Sequence, residues 1–173
     1  QYSESCGDTG TGGVKYWPRD CGAFGVYWLS GSGSRDETID AGRAPGMIIG
    51  IGTDLVHIPR MQDLLDKHGD KFAERILSAH EFSEFKLQLK PANFLAKRFA
   101  AKEAAAKAMG TGFRDGLSLR HISVRNNSLG KPELQFEKVG LELKEKMHID
   151  KAMLSLSDDH EYAIAYVVLM EAN

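Results

Sequence analysis

The longest helical pattern in the sequence runs from residue 93 to residue 109 and reads Asn93-Phe-Leu-Ala-Lys-Arg-Phe-Ala-Ala-Lys-Glu-Ala-Ala-Ala-Lys-Ala-Met109. Alanine and straight-chain residues, which are the strongest helix formers, fill most of this segment. Pro91 stands just before it, and Gly110 and Gly112 follow it, as start and stop signals of a helix do. The segment therefore predicts one long helix, the largest element of the fold.

The residues before this helix predict a strand followed by short helices. The first stretch, Met47-Ile-Ile-Gly-Ile-Gly-Thr-Asp-Leu-Val56, is β-branched and almost entirely apolar, as buried strands are. Pro59 suits the first turn of a helix whose apolar face includes Met61. Ser78 and Glu81 have the spacing of a capping box, which predicts that another helix starts there.

The residues after the long helix predict two hairpins with a polar helix between them. The predicted strands are 121–125 with 133–137 and 153–157 with 162–170, and the helix covers 138–147. Together with the upstream elements, this pattern indicates an α+β fold in which helices pack on one side of an antiparallel sheet.

Residues 1–46 differ in composition from the rest of the chain. They are rich in Gly, Ser, Thr and Asp, and their aromatic residues follow no sustained period of 2 or 3.6. The run Gly31-Ser-Gly-Ser34 is typical of a flexible linker. We interpret residues 1–46 as a vector-derived or disordered extension, with a natural regulatory arm as the alternative, and residues 47–173 as one domain.

Cysteine usage and hydropathy indicate the cellular compartment. Cys6 and Cys21 both lie in the extension, and the sequence leaves their pairing open. A domain without cysteines needs neither disulfides nor thiolate-bound metals, which fits a reducing compartment. The chain contains no run of about 18 apolar residues and opens with no secretory pattern. We therefore expect a cytoplasmic location and no membrane partner.

Basic residues cluster in and around the predicted long helix, although the net charge of the chain is −2. Over residues 90–114 the single acid Glu103 stands against a set of cations: Lys90, Lys97, Arg98, Lys102, Lys107 and Arg114. Such a patch favours an anionic partner, whether phosphate, nucleic acid or an acidic protein. The alternative is a solvated helix face whose charge is balanced by acids elsewhere in the chain.

Two acids and one lysine form a candidate site. Asp54 lies in an otherwise apolar strand, where a carboxylate is costly unless it is paired, hydrogen-bonded or bound to a metal. Glu103 and Lys107 share one helix face, and the alanines around them keep that face shallow. Taken singly, Asp54 fits a cap or a salt bridge, and Glu103 with Lys107 fits a surface pair. Taken together, two carboxylates, a diphosphate and water complete the oxygen shell of magnesium, and Lys107 supplies a charge for phosphate.

Other candidate motifs carry less weight. The glycines of Gly110-Thr-Gly112 follow a helix, whereas a phosphate-binding P-loop places its glycines before one. Nucleophile-elbow and zinc-protease motifs are absent from the sequence. His57 and His160 lie near the candidate elements, but a solvent-facing role is the commoner one for such histidines.

Two segments resemble the signature segments of the short-chain 4′-phosphopantetheinyl transferases, the holo-[acyl-carrier-protein] synthases. The first is Ile49-Gly-Ile-Gly-Thr-Asp-Leu-Val56, and the second is residues 94–107 with the core Lys102-Glu-Ala-Ala-Ala-Lys107. Further matches occur in the same order along the chain at Gly110-Thr-Gly112, Leu129-Gly-Lys-Pro132 and Ser155-Leu-Ser157. The resemblance covers almost all of residues 47–171.

The resemblance implies the 4′-phosphopantetheinyl transferase fold and a homotrimer with active sites between neighbouring subunits. It implies transfer of 4′-phosphopantetheine from coenzyme A to a serine of apo-acyl carrier protein, with release of adenosine 3′,5′-bisphosphate, in fatty acid biosynthesis. It also implies a Mg²⁺ ion, with Mn²⁺ as the alternative, held by Asp54 and Glu103. Either Glu103 or a metal-held water would take the serine proton.

The resemblance assigns further residues to the site. The catalytic set would be Asp54, Glu103 and Lys107. The coenzyme A contacts would be Lys107, Arg98, Gly110, Thr111, Gly112, Pro132 and Ser157. Arg60 and Met61 would meet the acidic carrier protein.

One departure and one alternative remain. Several relatives carry a histidine directly after the Ser-x-Ser/Thr strand, where Asp158 stands here with His160 two residues on. The alternative function is a non-catalytic basic module that binds nucleic acid or an acidic protein. A nucleic-acid module shows exposed aromatic side chains among its basic residues, whereas Phe94 and Phe99 fall on the apolar stripe of the long helix. We therefore expect an enzyme with no nucleic-acid partner.

Overall fold

The structure, a computed structural model, describes residues 47–171. The predictions for residues 1–46, including the open pairing of Cys6 and Cys21, lie outside the described residues. The elements in chain order are β1 (Ile48–His57), α1 (Ile58–His68), α2 (Asp70–Ile76), α3 (Ala79–Phe85), α4 (Pro91–Ala108), a 3₁₀ turn (Leu119–His121), β2 (Ile122–Asn126), β3 (Pro132–Phe136), α5 (Val139–Lys146), β4 (Ile149–Asp159) and β5 (Tyr162–Glu171).

The local signals of the sequence placed most of these elements correctly. Pro59 lies in the first turn of α1, as predicted. Ser78 and Glu81 form the predicted capping box of α3, in which each side chain meets the other residue's backbone N–H. The long helix begins two residues earlier than predicted, at Pro91. The last hairpin is also longer than predicted, because its pairing continues to Asp159 opposite Tyr162.

The strands of residues 47–171 form two antiparallel sheets, whereas the sequence pattern predicted one. One sheet has the strand order β1-β5-β4, and the other pairs β2 with β3. A side chain occupies the outer edge of β2, because the backbone N–H of Val124 donates to Glu81 Oε1 at 2.9 Å. That donor is therefore unavailable to a further strand, and the α+β class holds with divided sheets.

Helix α4 covers one face of the three-stranded sheet. The side chains of β5 that face α4 are fully buried: Ala163, Ala165, Val167 and Leu169. On the opposite face the sheet presents apolar side chains that are about half exposed: Ile51, Leu55, Met153, Ile164 and Tyr166. The predicted packing of helices on one side is thus observed for this sheet.

The backbones of α4 and β1 approach each other unusually closely. A methyl group on Gly52 would lie 2.0 Å from the carbonyl oxygen of Ala104, and one on Gly50 would lie 2.1 Å from that of Ala108. Real Cβ atoms do not come so close to a backbone oxygen, so both positions of β1 require glycine. The small residues on both elements let the helix backbone rest directly on the strand.

A buried ion pair fixes α4 from its other side. The Lys102 ammonium donates to Glu81 Oε2 at 2.6 Å and to the carbonyl oxygens of Ile76 at 2.8 Å and Leu119 at 3.0 Å, which uses all its N–H donors. Lys102 and Glu81 are both fully buried. Burial lowers the pKa of Lys102, and the charge of Glu81 opposes that shift. The pair therefore joins α4 to the end of α2, the start of α3 and the 3₁₀ turn.

No helix among residues 47–171 is both long enough and apolar enough to cross a membrane.

Replacing Gly52 with alanine tests the close approach of β1 and α4. We expect Gly52→Ala to lower the free energy of unfolding by about 3 kcal/mol or more, because the helix must move away from the strand. Gly130→Ala is the control, since its added methyl group meets open space but its φ is +81°. That change should lower it by about 1–2 kcal/mol through backbone strain alone. Urea denaturation measures both values, and equal losses would contradict the close approach.

Candidate functional site

Asp54, Glu103 and Lys107 meet where β1 crosses α4. Asp54 lies on the same face of β1 as Gly50 and Gly52, which contact α4. Lys107 Nζ donates to Asp54 Oδ1 at 2.8 Å and to the Thr53 carbonyl oxygen at 3.1 Å. Glu103 lies one helical turn before Lys107 and is close enough to Asp54 for their charges to interact. The structure thus brings together the three residues that the sequence singled out.

The carboxyl groups of this site resist ionisation. Burial raises the pKa of Asp54, and the hydrogen bond and charge of Lys107 oppose the shift. Burial also raises the pKa of Glu103, the charge of Asp54 raises it further, and the value reaches about 7. Because the charge of Asp54 opposes the ionisation of Glu103, a positive charge beside both carboxyl groups is favoured.

The donor set fits a hard divalent cation. Among residues 47–171, no side chain or backbone N–H donates a hydrogen bond to Glu103. Binding of a cation to its carboxyl oxygens would therefore break no hydrogen bond within this range. Within the same range there is no group of three or more His, Cys, Asp and Glu side chains that would enclose an ion. Magnesium is typically held by one or two carboxylates, with water and substrate phosphates completing its shell. Asp54 and Glu103 supply that number.

The loop after α4 holds the predicted coenzyme A contacts Gly110, Thr111 and Gly112. The N–H groups of Thr111 and Gly112 both donate to the carbonyl oxygen of Ala106 at 3.3 Å, and the N–H of Gly110 donates to the carbonyl oxygen of Lys107 at 3.0 Å. Gly110 and Gly112 have φ values of +70° and +58°, as expected of a glycine helix C-cap. These amides therefore close the helix end and are not free donors for an anion.

The predicted basic patch is largely neutralised by acids from elsewhere in the fold. Lys97 pairs with Asp158 at 3.1 Å, Lys107 pairs with Asp54, and Lys102 is buried against Glu81. The alternative function, a module that binds anions through this patch, thereby loses most of its exposed charge. The structure supports the second interpretation of the cluster, in which distant acids balance it.

Arg98 does not present a free guanidinium as the predicted coenzyme A contact requires. It is buried, it lies 3.5 Å from Glu84 Oε2 and 3.8 Å from Glu81 Oε1, and it stacks over the ring of Phe94 at 4.5 Å. The helix face that carries Arg98 packs on α3, which the sequence pattern did not reveal.

Met61, predicted with Arg60 to contact the carrier protein, is buried in this structure. Its side chain is only 3% exposed and belongs to the hydrophobic core, because the apolar face of α1 turns inward against α4. The neighbouring Arg60 is half-buried and remains the residue of the pair nearer the surface.

Pro132 and Ser157 are not gathered with the carboxylates in one chain. Ser157 stands opposite Ile164, which in turn stands opposite Leu55, so it lies on the open face of the sheet. Asp54 is one residue from Leu55 and points to the other face. Pro132 opens β3 in the separate two-stranded sheet.

The structure also shows partners that the sequence did not reveal. Asp158, the departure noted at the end of β4, accepts hydrogen bonds from Asn93 at 2.9 Å and from Lys97 at 3.1 Å. These bonds, that of Asn93 foremost, lower the pKa of Asp158. The partners are more than 60 residues apart in sequence, so no local pattern predicts them. His160 contacts its neighbour Asp159, and His57 lies 3.6 Å from Glu161.

Comparison with known proteins identifies the family. A family model described as the 4′-phosphopantetheinyl transferase superfamily matches residues 50–167. The holo-[acyl-carrier-protein] synthase of Nitrosococcus oceani is 49% identical over 124 residues, which are 72% of this chain and 80% of the relative. The chain belongs to the holo-[acyl-carrier-protein] synthases of this superfamily.

Solved structures of holo-[acyl-carrier-protein] synthases share the fold. The crystal structure from Neisseria meningitidis has a TM-score of 0.68 and 46% identity, and the match covers 71% of this chain and 98% of that one. The Bacillus anthracis synthase, solved in complex with CoA (3′,5′-ADP), has a TM-score of 0.62 and 38% identity. That match covers 73% of this chain and 99% of the other. The resemblance stated from the two sequence segments is thus confirmed at the level of the family.

Replacing Glu103 with glutamine tests the raised pKa of its carboxyl group. The fold favours the protonated form, so the charge of Glu103 lowers stability as the pH rises from about 4.5, the ordinary value, towards about 7. In the presence of a chelator, Glu103→Gln should melt several degrees above wild type at about pH 8, where the wild-type carboxyl is charged. The difference should vanish below about pH 4.5.

Thermal melting at a series of pH values measures this effect. Glu74→Gln is the matched control, because Glu74 is exposed on α2 and the substitution should leave the melting temperature unchanged at each pH. A Glu103→Gln variant less stable than wild type at about pH 8 would contradict the assignment.

Proposed function

We propose that this chain transfers 4′-phosphopantetheine from coenzyme A to a serine hydroxyl of apo-acyl carrier protein and releases adenosine 3′,5′-bisphosphate. The observation that carries the proposal is the meeting of Asp54, Glu103 and Lys107 at the crossing of β1 and α4. Membership of the holo-[acyl-carrier-protein] synthases and the fold shared with a synthase solved with CoA (3′,5′-ADP) support it. We also propose a role in fatty acid biosynthesis and a cytoplasmic location.

The proposed chemistry is transfer of a phosphoryl-linked group. The serine oxygen forms a bond to the phosphorus that carries the pantetheine arm, the diphosphate P–O bond to the nucleotide breaks, and Glu103 or a metal-held water would take the serine proton. Charge develops on the departing phosphate, so positive groups placed there in advance lower the barrier. Lys107 is the described side chain suited to contact that phosphate, because its ammonium lies beside the two carboxylates.

Asp54 and Glu103 are the residues that would hold Mg²⁺, or Mn²⁺ in its place. The ion supplies positive charge beside the diphosphate when it is bound. The raised pKa of Glu103 is consistent with this role, because a cation next to the carboxylates would remove the repulsion that opposes their ionisation.

We propose that the acidic carrier protein meets the enzyme at α1 through Arg60. The core position of Met61 removes that side chain from the contact. We keep the remaining coenzyme A contacts, Gly110, Thr111, Gly112, Pro132 and Ser157, as part of the proposal, with the first three contributing through atoms other than the N–H groups that close the end of α4. For Arg98, the proposal requires that its guanidinium leave the carboxylates it contacts.

We propose a homotrimer in which the open face of the β1-β5-β4 sheet is covered by neighbouring subunits. Ile51 and Leu55 are 56% and 55% exposed there, beside Met153, Ile164 and Tyr166. A contiguous apolar face of this kind is typical of an interface between subunits. Ser157 and Asp54 lie on opposite faces of the sheet, so contacts from one subunit would join the carboxylates of another.

The catalytic domain in this proposal is residues 47–173, with residues 1–46 as an extension.

Incubating the chain with coenzyme A and apo-carrier protein tests the transfer. We expect the carrier protein to gain about 340 Da, the mass of the transferred group, only when Mg²⁺ or Mn²⁺ is present. Glu103→Gln should lower turnover by at least about 100-fold while the protein stays folded, and the exposed Glu74→Gln should match wild type. Mass spectrometry of the carrier protein measures the product. Turnover that survives both Glu103→Gln and chelation would refute the mechanism.

Placing a charge on the open sheet face tests the trimer. Leu55→Glu should change the mass in solution from that of a trimer to that of a monomer, because burying a carboxylate against apolar neighbours is unfavourable. Leu89→Glu is the control, since Leu89 is fully exposed in the loop before α4. Light scattering coupled to size-exclusion chromatography gives the masses. A wild-type protein that is already monomeric would exclude the assembly.

A further inference from the structure

Lys107 has two roles that conflict. The proposed function asks its ammonium to contact a phosphate of coenzyme A, whereas the structure shows it bound to the protein itself. Lys107 Nζ lies 2.8 Å from Asp54 Oδ1 and 3.1 Å from the Thr53 carbonyl oxygen. Asp54 is largely buried, with 15% of its side chain exposed, and Lys107 is 24% exposed. The ammonium is therefore the counter-ion that makes the charge of Asp54 tolerable in this setting.

The positive charge of Lys107 is also unevenly placed with respect to the two carboxyl groups. Glu103 lies close enough for the charge of Asp54 to act on it, yet within residues 47–171 it accepts no hydrogen bond, from Lys107 or any other donor. The ammonium thus donates to Asp54 and acts on Glu103 through its charge alone, and the site carries a net negative charge once Glu103 is ionised. This arrangement attracts a divalent cation while its own lysine already occupies one of the oxygens that would bind it.

We propose that Lys107 is an exchangeable counter-ion, which holds Asp54 in the metal-free protein and gives up that oxygen when a divalent cation binds. The proposal rests on the proposed function, because it takes Asp54 and Glu103 as the ligands of the ion. Two cations at contact distance from one carboxylate oxygen repel each other strongly, so the ammonium moves away when the ion arrives.

The exchange is physically easy. The arriving cation replaces the ammonium beside the largely buried Asp54, so the carboxylate keeps a positive partner, and lysine is a point charge on a flexible four-carbon stem. Once released, the same ammonium is available to a phosphate oxygen of coenzyme A. The metal and the nucleotide substrate therefore reinforce each other's binding through Lys107, in addition to any direct contact between them.

Loss of the Lys107 charge should act in opposite directions on the two ligands. Removing the charge of Lys107 should make binding of the metal alone tighter, although it weakens binding of coenzyme A. A lysine whose ammonium reached only phosphate and stood away from Asp54 would leave the affinity for the metal alone nearly unchanged.

Titration with Mn²⁺ in the absence of coenzyme A tests this sign, with free Mn²⁺ measured by its electron paramagnetic resonance signal. Lys107→Met should bind Mn²⁺ on the order of tenfold more tightly than wild type, because one nearby positive charge is removed. Lys97→Met is the matched control, since it removes the charge of another ion-paired lysine of α4, whose partner is Asp158. It should stay within about twofold of wild type. Lys107→Met affinity equal to or weaker than that of wild type would overturn the proposal.

Two additions keep the outcome decisive. If Lys107→Met does not stay folded, Lys107→Gln replaces it under the same criterion, because glutamine keeps a polar stem without the charge. Wild type and Glu103→Gln are titrated with Mn²⁺ in parallel, with and without coenzyme A. Wild type that takes up no Mn²⁺ under either condition would refute the metal site of the proposed function and the exchange with it. Wild type that binds Mn²⁺, together with a Lys107→Met variant that binds no more tightly, would refute the exchange alone.

Discussion

The contact between the backbone of α4 and the glycines of β1 is the constraint on which the candidate site depends. Gly50 and Gly52 lie under the carbonyl oxygens of Ala108 and Ala104 with no room for a methyl group. Because the helix rests on the strand itself, side chains at the edge of this contact are held within a few ångströms of one another. Asp54, two residues beyond Gly52, therefore meets Lys107 across the two elements. A larger residue at either glycine would separate the elements and the charges they carry.

The buried pair of Lys102 and Glu81 supplies the second half of this constraint. Close packing on β1 fixes the distance of α4 from the sheet, and the Lys102 ammonium fixes the rotation of the helix about its axis. With Lys102 directed into the layer formed by α2, α3 and the 3₁₀ turn, the next residue, Glu103, is directed about 100° away, towards β1. A buried ion pair contributes little net stability compared with apolar packing, but its fixed partners specify one arrangement of the elements.

One helix thus places the three charged residues of the motif, Lys102, Glu103 and Lys107, in three different environments. Lys102 is enclosed and satisfied by protein acceptors, Glu103 is largely buried without a donor among residues 47–171, and Lys107 is shared between Asp54 and solvent. The difference between these environments, and not the residue types alone, gives each charge its role. In the same helix, Lys97 and Arg98 form ion pairs with acids of other elements. The basic cluster of the sequence is therefore not a basic surface.

The sequence by itself determined whatever depends on neighbours along the chain. The strand of β1, the capping box of Ser78 and Glu81, and the long helix ended by Gly110 all follow from local rules, and the motif residues Asp54, Glu103 and Lys107 stood out by their type and spacing. Only the tertiary structure decided the division into two sheets, the burial of Met61 and Arg98, and the partners of Lys102 and Asp158. Those features arise from contacts between residues far apart in sequence. A local pattern shows which side of an element is apolar, but it does not state which distant carboxylate or backbone will lie against it.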